Sequence, residues 1–428
     1  MKYKIATLGC KVNQFETQAL ETILKGRGFE EAEKNETADV VIVNTCAVTA
    51  ESGRKSRQII RKLEGENLGA LVAVCGCFSQ LSPEEMAAIG ADVVHGSGDK
   101  ERFADDIEKA LADKNKIEWT DDPFARRIME ELPSGAVDGR TRAMLKIQDG
   151  CVNFCTYCII PYTRGRVRSI PPERCAAQTA ELASRGFREL VITGIEIASY
   201  GTDLEPKRTL ADAIEAIAES SGYMRLRLGS LEPTVITEDF VKRLKVTGKV
   251  CDHFHLSLQS GCDETLKRMN RKYNTERFFE ATQLLRSYFP DCGMTADLIV
   301  GFPGETEENH RETLDFIKKC GFSSMHIFPY SKRPGTKAAT MEGQLTNAVK
   351  TERAAEAHQA ALEMEDAYLR SCIGKTLSVL FETEKNNMST GHAANYAQVY
   401  VPNGHLEKIV KNVEITGVLD KMLVGKIV

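Results

Sequence analysis

Three cysteines stand in one short phrase, Gly150-Cys151-Val152-Asn153-Phe154-Cys155-Thr156-Tyr157-Cys158, with three and then two residues between thiols. A loop with that spacing can give thiolates to three irons of a cubane cluster and leave the fourth iron open to bind and reduce a ligand. A structural zinc site takes a fourth protein ligand, and the next residues, Ile159, Ile160 and Pro161, offer none. A second set, Cys10, Cys46 and Cys77, is spread through the amino-terminal third, with Cys75 two residues before the last of them. The chain holds 13 cysteines, an odd number, and MKYKIATLGC runs straight into a strand-like pattern without an apolar leader. A secretory disulfide framework is therefore not expected, and metal binding is the leading reading of the clustered thiols. Cys175, Cys251, Cys262, Cys292, Cys320 and Cys372 each stand alone and read as small core residues.

The elements that must position these thiols follow from the hydrophobic pattern. The length of 428 residues suits about three domains. In 1–118, Lys4–Leu8, Asp39–Asn44, Ala70–Cys75 and Val93–His95 read as strands with amphipathic helices between them, which implies a parallel, doubly wound sheet. Sites in such sheets form beyond the carboxyl ends of the strands. Cys10, Cys46 and Cys77 each follow a strand end, so three strands would deliver three thiolates to one edge. A polar stretch, Thr120–Gly139, reads as a linker. Within 140–371 come six further strands, Ala143–Gln148, Leu190–Thr193, Arg225–Leu228, Phe254–Leu258, Thr295–Val300 and Ser324–Phe328, and a long helix over Thr346–Arg370. Six units suit a partial (β/α)6 barrel with its chemistry at the strand ends. From 372 to 428, Leu377–Glu382, Tyr396–Val401, Lys408–Ile415 and Met422–Val428 suggest a small β-barrel. The expected class is α/β.

With 42% apolar and 27% charged residues, the composition is globular and excludes a mostly disordered or fibrous chain. No apolar run is long enough for a membrane span, and a cytoplasmic location is expected. Lys and Arg number 56 against 61 Asp and Glu, a formal net charge of -5, so any nucleic-acid footprint must be local. Arg140, Arg142, Lys146, Arg164, Arg166, Arg168 and Arg174 crowd the cysteine loop in sequence, with only Asp149 and Glu173 against them. Arg164, Arg166 and Arg168 are the residues expected to grip backbone phosphate. A second basic run, Arg54-Lys55-Ser56-Arg57 with Arg61 and Lys62, lies on the helix after Cys46. A solvated helix face is the alternative reading of both groups.

A cysteine triplet in the loop after the first of six barrel strands resembles the radical S-adenosylmethionine superfamily. That resemblance implies a [4Fe–4S] cluster whose open iron chelates S-adenosylmethionine and whose electron cleaves it to a 5′-deoxyadenosyl radical. It implies that Tyr157 lies against the adenine and that Thr193-Gly194 holds the methionyl amino group. Glu196, Glu232, Ser257, Gln259 and Arg271 would meet the ribose and methionyl groups, with Arg271 paired to the carboxylate. Val300 and Phe328 would wall the adenine. Each has a plainer alternative, such as a loop aromatic for Tyr157 or a surface charge for Arg271.

The phrases Leu8-Gly9-Cys10-Lys11-Val12-Asn13, Asn44-Thr45-Cys46-Ala47-Val48 and Gly76-Cys77-Phe78-Ser79-Gln80, ahead of the triplet and a terminal β-barrel, resemble the methylthiotransferases. The resemblance implies a second [4Fe–4S] cluster on Cys10, Cys46 and Cys77, where sulfur is presented to the substrate. On an extended strand Cys75 would share a face with Cys77 and compete as ligand; the match of Gly76-Cys77 and the apolar run Leu71–Val74 favour Cys77. Cys10-Lys11-Val12-Asn13-Gln14 resembles the branch acting on N6-threonylcarbamoyladenosine in tRNA, and the last domain resembles the TRAM RNA-binding barrel, with Tyr396 either stacking on a base or packed in the core. A tRNA substrate and a flavodoxin-like or ferredoxin-like electron donor are then implied, and the sulfur donor is left open. Rival readings are methylthiolation of isopentenyladenosine or of a ribosomal-protein aspartate, an iron–sulfur electron-transfer protein, and a non-catalytic RNA-binding protein.

Overall fold

Six amino-terminal strands pair in parallel in the order β2-β1-β3-β4-β5-β6 in the computed structural model, which describes residues 1–134 and 141–428. They are β1 (Lys2–Thr7), β2 (Glu30–Glu31), β3 (Val40–Thr45), β4 (Leu71–Gly76), β5 (Val93–His95) and β6 (Ile117–Trp119). The chain steps from β1 to β2 on one side and then to β3 on the other, so the direction of winding reverses between β1 and β3. Such a reversal opens a crevice at the carboxyl ends of the two strands. Every residue of β3 is buried, because helices cover both faces of the sheet, and this is why the run Val40-Val41-Ile42-Val43 is continuous rather than alternating. Three helices leave the strand ends: α1 (Lys11–Gly26) after β1, α2 (Ala50–Glu66) after β3 and α3 (Cys77–Leu81) after β4. Thr49 caps α2, its hydroxyl accepting from Ser52 N at 3.0 Å.

The second domain is a partial barrel. Its strands are β7 (Arg142–Asp149), β8 (Arg168–Ser169), β9 (Glu189–Gly194), β10 (Arg225–Leu228), β11 (Ser230–Leu231), β12 (His253–Gln259), β13 (Gly293–Val300) and β14 (Ser324–Pro329). They form two sheets, β10-β9-β7-β8 and β11-β12-β13-β14, and β10 runs into β11 through Gly229. Apart from the short antiparallel β8, all pairings are parallel. Alternation decides what each strand shows. In β12, Phe254, Leu256 and Leu258 enter the core shared with the outer helices, so His253, His255, Ser257 and Gln259 face the lumen. Each large apolar side chain so buried stabilises the barrel by about 1.5–3 kcal/mol. The helix Asn347–Ser371 packs along β14 and buries Ala357, Ala360 and Ala361.

The last domain is a closed barrel in the order β15-β16-β17-β19-β18, from β15 (Thr376–Lys385), β16 (Met388–Ala393), β17 (Gln398–Val401), β18 (Val410–Leu419) and β19 (Met422–Ile427). Its core includes Val379, Phe381, Val399, Val413 and Leu423. β16 is absent from the sequence reading because its buried positions are the small residues Ser389, Gly391 and Ala393, which carry no apolar signal. The described part of the expected linker, 120–134, is not a free tether. Leu132 packs in the amino-terminal core and Met129 in that of the partial barrel, while Arg126 pairs with Asp121 and donates to Ser97 Oγ and Gln80 Oε1, both at 2.9 Å. Arg140 and the linker's end lie outside the described residues. No helix among the described residues is long and apolar enough to cross a membrane.

Candidate active site

The neighbouring strands β1, β3 and β4 put Cys10, Cys46 and Cys77 at one edge of the sheet. Cys10 caps α1 with extended backbone, Cys46 directly follows β3, and Cys77 opens α3. Two glycines permit this closeness. A side chain at Gly9 would strike Cys46 Sγ, 2.7 Å from the position of its Cβ, and Gly76 has φ +103° with a Cβ position 2.5 Å from the Thr45 carbonyl. The chain turns at Gly76, so Cys75 and Cys77 do not share a face as they would on an extended strand. Cys75 packs on the α1 side of the sheet with Tyr3, Phe15 and Ile42, whereas Cys77 lies among Val43, Val74 and Phe78 on the other. Burial pushes the Cys75 thiol up to about 11. Burial raises the Cys10 thiol as well, against the pull of Arg164, and Cys77 adds to the rise.

Cys151, Cys155 and Cys158 share the loop after β7, and all three are half-buried. Burial pushes the Cys151 and Cys158 thiols up to about 12, and the charges of Cys155 and Cys77 add to the rise at Cys158. The two sets therefore stand close together. The helix Ile160–Arg164 follows the cysteine loop, and its last residue reaches the amino-terminal set. Arg164 is fully buried and donates to Cys77 Sγ at 3.2 Å, to Asn13 Oδ1 at 2.8 Å and to both carboxylate oxygens of Glu16. Lys146 reaches Glu16 and Asp149 at 2.7 Å each, and Arg168 pairs with Asp149 at 3.4 Å. Burial alone would raise these carboxylates, but Arg164 and Lys146, joined by Lys100 at Glu16 and by Arg168 at Asp149, override it and hold Glu16 at about 2 and Asp149 well below the usual range.

Residues 2–96 match the uncharacterized protein family UPF0004, and residues 145–317 match the radical SAM superfamily. The chain is 41% identical over 399 residues to the threonylcarbamoyladenosine tRNA methylthiotransferase MtaB of Bacillus subtilis, covering 92% of this chain and 88% of that one. The chain belongs to the radical SAM methylthiotransferase family. It is also 36% identical to the tRNA-2-methylthio-N(6)-dimethylallyladenosine synthase of a Thermoanaerobacter strain, covering 97% of this chain and 90% of the relative. Among solved structures, the radical S-adenosylmethionine methyltransferase TsrM of Kitasatospora setae shares the fold at a TM-score of 0.55 and 15% identity, over 91% of this chain and 80% of that one. Methylthiotransferases carry two [4Fe–4S] clusters and use S-adenosylmethionine.

The donor set fits those groups. Each thiol set offers three soft ligands, and Cys75, the fourth nearby thiol, faces away. Around the barrel loop, the residues expected to meet S-adenosylmethionine gather at the upper strand ends. Thr193 and Gly194 close β9, and Glu196 N donates to Gln148 Oε1 at 2.8 Å. Glu232 is buried, with Arg271 Nη2 at 3.4 Å from an Oε1 that receives no hydrogen bond among the described residues. Such an orphaned acceptor fits an ammonium or hydroxyl donor of the cofactor. Burial, then Glu232, pushes Glu196 up to about 7. Ser257 and Gln259 face the lumen from β12. Phe328 is 48% exposed at the end of β14, and Tyr157 lies edge-on to Phe302.

Several expectations need correction. Val300 belongs to the core behind the strands, and the lumen neighbour on β13 is Ile299. Arg271 is a buried bridge rather than a surface charge: it donates to Cys155 Sγ at 3.1 Å and to Ser257 O at 3.5 Å. Arg164 and Arg168 are buried in the network described above, so neither reaches a phosphate. Arg142 pairs with Glu189 and Glu382, and Arg174 with Glu131, which leaves Arg166 exposed. Tyr396 is held between His253 and His392, ring centroids 4.6 and 5.0 Å away, with Arg227 over its ring. It is therefore not a core residue: 38% of it is exposed, and its ring already stacks within the protein.

The structure also reveals residues that the sequence reading missed. His255, Asp297 and His326, from three adjacent strands, hold ligand atoms within 4.8 Å of one another in the lumen; the strict polar alternation of β12 was the available signal. Arg333, buried beside Phe78, has an Nε without a hydrogen bond among the described residues. Phe154 and Tyr162 are exposed on the rim of the cysteine loop, with Phe154 stacked on Phe124.

Proposed function

We propose that the protein replaces the C2 hydrogen of N6-threonylcarbamoyladenosine beside the tRNA anticodon with a methylthio group, working in the cytoplasm. One observation carries this reading above the others: two sets of three thiols lie near enough for Cys77 to act on Cys158, and Cys75, the other thiol beside the first set, packs on the opposite side of the sheet. The likeness to the Bacillus subtilis relative supports the choice of nucleoside. Cys151, Cys155 and Cys158 hold one cluster, with Tyr157, Thr193, Gly194, Glu196, Glu232, Ser257, Gln259 and Phe328 around S-adenosylmethionine, and Cys10, Cys46 and Cys77 hold the other. When bound, the first cluster with its cofactor supplies one-electron chemistry able to open an unactivated C–H bond, and the second presents sulfur.

The chain's own work is orientation and charge. Arg271 ties Cys155 to the Glu232 and Ser257 wall and so fixes the loop against the barrel. Arg164 brings a positive charge against Cys77 and holds the two domains in register. Arg166, with exposed Phe154 and Tyr162, offers the tRNA a cation for phosphate and aromatic faces for an unstacked base at the rim. Electrons come from a flavodoxin-like or ferredoxin-like donor. The test is nucleoside analysis of tRNA from cells with and without the gene. Deletion should remove the 2-methylthio form of threonylcarbamoyladenosine and leave its unthiolated precursor. Loss of methylthiolated isopentenyladenosine, with the threonylcarbamoyl form intact, would reassign the substrate.

A further inference from the structure

The first residue of α1, Lys11, opens onto a cavity of about 470 Å3 shared with Gln14, Thr141, Met144, Val191, Tyr396 and the paired Arg142 and Glu382. The cavity lies where the three domains meet. Met144 and Val191 pair across β7 and β9, one lumen layer below Lys146 and Thr193, and the cysteine loop and the Thr193-Gly194 edge are above. The cations around it are not equivalent. Arg142 is paired with Glu189 at 3.1 Å and Glu382 at 2.8 Å, and Arg225 and Arg227 are paired with the same Glu189 at 2.6 and 2.8 Å. Lys11 makes no ion pair or side-chain hydrogen bond among the described residues. Glu189 already answers three arginines, so Lys11 is the unmatched positive charge of the cavity. Its neighbours Met144 and Val191 give the same space an apolar wall.

We infer that Lys11 receives the carboxylate of the amino-acid arm on N6 of the substrate adenosine and so selects threonylcarbamoyladenosine over isopentenyladenosine. The inference rests on the proposed function and deepens it. A threonyl arm brings a carboxylate that matches Lys11, and a methyl group that suits the Met144 and Val191 wall. An isopentenyl arm would fill the space but leave the lysine unmatched on binding, the kind of mismatch by which a polar subsite rejects an analogue. C2 and N6 flank N1 on one edge of the purine, so with C2 at the thiols the arm leaves N6 into the adjoining space, where Lys11 follows Cys10 directly.

The test uses anticodon stem-loop RNA with the N6-threonylcarbamoyl group as the free acid, as its carboxamide, or replaced by isopentenyl. Wild-type holoenzyme should favour the acid over the amide by about tenfold or more, both in kcat/KM for methylthiolation and in Kd for the RNA. Lys11→Met, with iron content matching wild type, should bring that ratio close to one, and Lys11→Arg should restore much of it. Equal handling of acid and amide by wild type, which depends on no variant, would overturn the inference. So would full acid preference in Lys11→Met. Wild type that modifies only the isopentenyl RNA would instead defeat the substrate assignment.

Discussion

The two thiol sites are held in contrasting ways. Cys151, Cys155 and Cys158 occupy one loop, and their mutual placement follows from local spacing. Cys10, Cys46 and Cys77 arrive from three strands, and only the folded sheet, with its glycine turns, brings them together. A local site depends on the chain's immediate neighbours, whereas a distributed site inherits the stability of the domain. Arg164 compounds the asymmetry: it belongs to the helix after the local loop, yet its partners Cys77, Asn13 and Glu16 belong to the distributed side.

The strongest way to break that comparison is Arg164→Ala. It leaves buried Glu16 with Lys146 as its remaining ion-pair partner among the described residues, and the cost should be about 3 kcal/mol of unfolding free energy in denaturant titrations. The amino-terminal cluster should be lost before the barrel cluster, and equal loss of both would remove the asymmetry. The network should also respond to acid. With Glu16 held at about 2, against an ordinary value of 4.5, its contribution is complete above the ordinary value and is lost as pH falls toward 2.

Cysteine substitutions sharpen the contrast. Reconstituted wild type should hold about eight irons per chain, Cys77→Ala about four, and Cys75→Ala about eight. Iron lost from Cys75→Ala but kept in Cys77→Ala would reverse the assignment of the third ligand. With Cys10, Cys46 and Cys77 all replaced by Ala, reductive cleavage of S-adenosylmethionine should continue without any thiolated product, as measured by 5′-deoxyadenosine release and nucleoside analysis.

A smaller effect is expected at the rim. Arg166→Ala should lower the salt slope of tRNA binding by about one. Arg168→Ala should leave the slope unchanged and reduce stability instead. The smallest change concerns Glu196, whose carboxyl is raised to about 7 from an ordinary 4.5. A raised carboxyl weakens the fold as pH rises from the ordinary value through the folded one. Glu196→Gln should therefore raise the Tm at pH 8 and change it little at pH 4.

What was legible in the sequence divides along the same line. The barrel triplet, the six lumen strands and the strand-end positions of Cys10, Cys46 and Cys77 are encoded locally, by spacing and alternation. The fate of the arginines is not. Counting charges along the chain sets only Asp149 and Glu173 against the basic group, but folding brings Glu16 to Arg164 and Lys146, Glu189 and Glu382 to Arg142, and Glu131 to Arg174. The shared face that would have let Cys75 compete with Cys77 is ruled out by a single turn at Gly76, which separates strand from helix. Val300 was placed one residue out of phase, and in a strand one residue exchanges lumen for core.

The grip on Tyr396 extends beyond the ring itself. Arg225 and Arg227, from the floor of the partial barrel, donate to the carbonyls of Ser378, His392, Ala393 and Ala394 in the terminal barrel. Stitched in this way, the terminal barrel is no tethered arm but a fixed outrigger. Any stretch of RNA that settles on its outer surface is held at a set span from the thiols. The pair of domains would then work as a gauge, with a nucleotide chosen by how far it lies from the point of attachment as well as by what it carries.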